Sequence, residues 1–96
     1  MEQIKKLRKI LDVALDIQNS DLDEEKKYDM IFSEKISRQV YSLFNEINVR
    51  FEYYDPDTSY EEDVNAFVSA LEREVDQLID NQEYSRNKLI SRYNKL

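Results

Sequence analysis

Residues 59–79 read SYEEDVNAFVSALEREVDQLI, and their spacing decides the fold. Val64, Phe67, Val68, Leu71, Val75, Leu78 and Ile79 step by threes and fours, which lines them along one side of a helix. Two helix-start signals overlap just upstream: Thr58 with Glu61 and Ser59 with Glu62 each have the spacing of a capping box. Pro56 lacks an amide hydrogen and pushes Asp55 away from helical angles, so no helix passes through from residues 50–59. Beyond Ile79 the stripe lapses at Asp80-Asn81-Gln82-Glu83 and resumes at Leu89, Ile90, Tyr93 and Leu96. Neither Gly nor Pro interrupts it, so one helix over about 60–94 is expected, with any bend near 80–83. The alternative is a break there and a short fourth helix.

The same period extends toward the N-terminus. Tyr28, Phe32, Ile36, Val40, Leu43, Phe44 and Ile47 make one face of an expected helix over about 22–49. Asp21 and Glu24 are spaced as its capping box, with Asp23, Glu24 and Glu25 suited to the positive end of its dipole. Ile4, Leu7, Leu11 and Ala14 carry a first helix over about 3–19, which Asn19-Ser20-Asp21 ends. Composition points the same way. The 96 residues include no Gly and a single Pro, so primed hairpin turns, phosphate loops and Rossmann turns have no material. The sequence therefore predicts an all-α chain, a three-helix bundle in one domain over 1–96. At about 52 Å the third helix would outrun a first helix of about 26 Å, leaving its apolar end to a second copy of the chain. Leu89, Ile90, Tyr93 and Leu96 are the expected self-association stripe of a homodimer.

Chemistry is bounded by what is missing. With no His and no Cys, the commonest general base, the commonest zinc ligand and every thiolate reaction are absent. Asp55, Asp57, Ser59, Glu61 and Asp63 alternate like early EF-hand ligands, but Tyr60 stands where the loop needs Gly and Ala66 where it needs the bidentate Glu. Asp55-Pro56-Asp57 matches the Asp-x-Asp of aspartyl-phosphate chemistry, which requires strands that this chain does not supply. Carboxylate pairs such as Glu72 and Asp76 have the spacing of a solvated helix face. No catalytic, metal or cofactor-binding residue is expected, and the chain is not expected to be an enzyme. No apolar run is long enough to span a bilayer, and Met1-Glu2-Gln3 leads into a helix without a signal-peptide pattern. A cytoplasmic location is expected.

The net charge of −7 is unevenly spread. Residues 51–80 hold ten acids against Arg73 alone, while Lys5, Lys6, Arg8 and Lys9 make one end basic and Arg86, Lys88, Arg92 and Lys95 the other. Such acidity disfavours direct binding to nucleic acid or anionic membranes. Aromatic side chains interleave with the acids: Glu52, Tyr53, Tyr54, Asp55, Asp57, Tyr60, Glu61, Glu62 and Asp63 form the expected partner-binding region. Two readings of the rings stay open. They present a binding surface, or Phe51 and one or two tyrosines plug the end of the bundle.

The preferred function is an inhibitor that occupies a basic, nucleic-acid-binding surface of a target protein, its carboxylates imitating a row of phosphates. In size, acidity and lack of catalytic groups the chain is similar in type to small phage-encoded inhibitors of host defence or transcription, which implies the host cytoplasm. A self-assembling structural or adaptor module is the alternative. A DNA-binding regulator using the basic ends comes third.

Overall fold

The computed structural model describes the backbone of residues 2–53 and 59–94 and the side chains as far as Asn81. The described residues form four helices and no strand: α1 (Glu2–Gln18), α2 (Glu24–Ile31), α3 (Ser37–Glu46) and α4 (Tyr60–Asn94). The all-α architecture is as the periodicity predicts, but the count is four, because the expected 22–49 helix is two. Its stripe explains the break. Tyr28, Phe32, Ile36 and Val40 are each four residues apart, and each such step overshoots a full turn by about 40°. A straight helix would carry Val40 about 120° around the cylinder from Tyr28. The chain resets its phase instead. Phe32 leaves helical angles (φ −91°, ψ 51°) after its amide bonds to the Tyr28 carbonyl. Ser33 Oγ donates to the Met30 carbonyl at 2.7 Å, and Ser37 Oγ to the Ser33 carbonyl at 3.0 Å, tying the turn. Ile31, Ile36 and Val40 are then all buried, which one straight face does not allow.

Other boundaries follow from local bonds. Ser20 Oγ donates to the Ile17 carbonyl at 2.7 Å and Lys27 Nζ to the Gln18 carbonyl at 2.9 Å, closing α1 with a cation where the dipole favours one. Asp23, rather than Asp21, caps α2: its Oδ1 accepts from the Lys26 amide at 2.8 Å. At the end of α3, Asn48 takes the left-handed conformation (φ 57°). Its amide bonds to the Asn45 carbonyl and that of Val49 to the Phe44 carbonyl, a Schellman closure in which Asn serves where Gly is usual. Of the two overlapping starts for α4, Ser59 is seen at work, its Oγ accepting from the Glu62 amide at 3.1 Å; Thr58 lies outside the described residues. The α4 helix runs without interruption through 80–83.

The helices pack α1 on α4, α2 on α4, and α1 on both α2 and α3. Leu7, Leu11 and Ala14 meet Val64, Phe67, Val68 and Leu71, with Val40 and Phe44 closing the core from α3. Phe51 turns inward. It is buried, stacked on Phe44 (centroids 5.0 Å apart, 12° between planes) and edge-on to Phe67 at 5.5 Å. Tyr53 is half-buried, edge-on to Phe67 at 5.4 Å. These two rings plug the bundle. Among the described residues, no helix is long and apolar enough to cross a membrane.

Candidate functional site

The starts of α2 and α4 lie side by side, and this places acids from both in one patch. Asp23 caps α2, Glu24 and Glu25 sit in its first turn, and Glu61 and Glu62 sit in the first turn of α4, all exposed. Glu24 and Glu61, from different helices, line one small hollow together. Hydrogen bonding with Glu61 first, and the Glu61 charge second, raise the Glu24 carboxyl above its ordinary range, with Lys27 pulling the other way. A hollow of about 80 Å³ opens beside the pair, between Gln18, Lys27, Val64 and Asn65. Small-molecule and cofactor pockets run to about 300–1,000 Å³, so this one has room for little more than a single side-chain head group. Gln18 Nε2 donates to Asn65 Oδ1 at 2.7 Å across its edge, holding α1 to α4.

Tyr60 caps the patch on its aromatic side. It is 47% exposed, with its ring 4.9 Å from that of Tyr28, which in turn lies 4.7 Å from Phe32. The exposed ring is thus backed by a column of aromatics leading into the core. Such a ring is held in place before any partner arrives.

The structure divides the described residues of the expected partner-binding region into three groups. Tyr60, Glu61 and Glu62 are together at the acidic end. Glu52 and Tyr53 line a different hollow, beside Tyr41 and Arg73, and Glu52 is paired with Arg50 at 2.7 Å. Tyr54, Asp55 and Asp57 lie outside the described residues. Asp63 is buried rather than part of the exposed surface, in the first turn of α4 where the helix dipole favours its charge. The signal for this was present in the sequence: Asp63, Phe67, Ala70 and Leu71 are spaced i, i+4, i+7 and i+8, the inward face. Glu24 is the residue that reading the chain linearly missed, since its role at a helix start accounted for it without a neighbour 37 positions away. The expected self-association residues Leu89, Ile90 and Tyr93 are on the described backbone of α4 but outside the described side chains, and Leu96 lies outside both.

Among the described residues, no three His, Cys, Asp or Glu come together in a way that could hold a metal ion. No protein-family model, curated protein or solved structure matches the chain.

Proposed function

We propose that this chain is a non-enzymatic binding protein whose acidic end docks on a basic, nucleic-acid-binding surface of a target protein. The observation that carries the reading is the Glu24–Glu61 pair, two carboxyl groups from different helices lining one hollow of side-chain size. An arginine or lysine head entering there neutralises a repulsion already present, and a guanidinium can bond to both carboxylates at once. Asp23, Glu25 and Glu62 extend the field that steers such a surface in, and Tyr60 adds apolar area at its edge. A protein so engaged has its phosphate-contacting side chains occupied, so the outcome is inhibition. This is the manner of the small phage-encoded inhibitors that the chain resembles in type.

The test is titration of the full chain against a panel of nucleases and DNA-binding proteins, with duplex DNA as competitor. At least one basic protein is expected to bind in competition with DNA, and Glu61→Lys with Glu62→Lys to weaken it by about 10- to 100-fold. Binding unaffected by the reversal, or simultaneous with DNA, counts against the proposal.

One observation favours self-assembly as a second reading. The α4 backbone continues as helix for about 22 Å past Ile79, the last described residue packed on the core. Sedimentation of the full chain and of a chain lacking residues 82–96 separates the cases. An assembly lost with the deletion supports the reading, and a monomer in both forms rejects it.

A further inference from the structure

The proposed function leaves the opposite sign of charge unused. An open groove runs between α1 and the α2–α3 segment, comprising two hollows of about 530 and 430 Å³ that share Lys9 and Ile10. Its floor is apolar. Ile10, Val13 and Ile17 come from α1, Met30 from α2, and Ile36 and Leu43 from the far wall. Val13 is 50% exposed and Met30 45%, and both line the larger hollow, so large apolar groups face solvent there. The rim is basic: Lys6, Lys9 and Lys35 are exposed around it against Asp29 alone, in a chain whose net charge is −7.

We infer that this groove receives an acidic amphipathic helix of a partner protein, laid along α1. Three features select that occupant. From Lys6 to Ile17 the groove is about 17 Å long, or three helical turns, which matches apolar anchors at i, i+3 or i+4, and i+7. Its walls are helices with no free strand edge among the described residues, so an extended peptide finds no ladder to join. The lysines lie where acids flanking the anchors of such a helix fall, and the Met30 side chain adapts to anchors of different shape. A second copy of this chain is a poorer match: in sequence, its apolar residues Leu89, Ile90 and Tyr93 are interleaved with Arg86, Lys88 and Arg92, which carry the same sign of charge as the lysine rim.

The experiment is fluorescence anisotropy with the full chain and two labelled peptide probes. Both are helical and carry leucines at i, i+4 and i+7. One has glutamates flanking the leucines and the other has lysines. The glutamate probe is expected to bind at least about tenfold more tightly than the lysine probe. Val13→Glu, at an exposed position, is expected to weaken it by about tenfold or more with an unchanged circular dichroism spectrum. Lys6→Glu with Lys9→Glu is expected to reverse the preference between the probes. Equal binding of the two probes, binding of neither, or loss of chain self-association in Val13→Glu would overturn the inference, the last by identifying a second copy as the occupant. Glu61→Lys leaves probe binding in place, which separates this surface from the acidic end.

Discussion

Glu24 lies beside a second carboxylate, Glu61, with which it lines one hollow. Its carboxyl is raised by the hydrogen bond and the charge of Glu61, so the pair is held best when Glu24 is protonated. That contribution is fully present below the ordinary carboxylate range and is lost as pH rises through the raised value. Glu24→Gln keeps a donor for Glu61 without the second charge. Its melting temperature should exceed that of the parent at about pH 7, with the gap closing toward about pH 4; a gap that does not change with pH contradicts the pairing. Asn48 makes a separate point about a chain without glycine. A left-handed residue must still end α3, and Asn is the side chain that tolerates it best. Asn48→Ala should cost about 1 kcal/mol in urea unfolding and Asn48→Gly little or nothing. Equal losses would place the stabilisation in the side chain rather than the backbone. Neither residue stands out in the sequence, since one resembles a cap charge and the other a surface amide.

At the scale of the elements, α1 and α4 were legible because apolar stripe and boundary signals agree. Leu7, Leu11 and Ala14 in one, and Phe67, Leu71 and Val75 in the other, are buried as their spacing predicts. The segment between them was legible only in part. Its stripe steps by threes and fours, yet repeated steps of four drift around a helix, and Ser33 and Ser37 supply the bonds that let the chain turn. No Gly or Pro marks the place. The same segment misleads at its start, where Asp21–Glu24 fits the capping-box spacing but Asp23 is the residue that caps. Asp23→Ala should therefore destabilise by about 1 kcal/mol and Asp21→Ala by much less, measured by urea unfolding. The reverse order would move the start of α2 back by two residues.

For the whole molecule, the break after Ile31 has a structural consequence. It leaves α2 as a short helix whose first turn lies against that of α4, and two acidic starts far apart in sequence become one end of the bundle. The run of acids in residues 51–80 made half of that end legible, through Glu61 and Glu62. The other half depended on tertiary packing, which periodicity does not encode. Aromatics were divided in the same way: Phe51 went to the core, Tyr53 packs half-buried against it, and Tyr60 stayed at the surface. The most direct measurement is a map of backbone amide shifts in the isotope-labelled chain as a basic target from the titration panel is added. The account predicts that the largest changes fall on Asp23, Glu24, Tyr60, Glu61 and Glu62. Changes confined to other faces, with those five amides still, would contradict it.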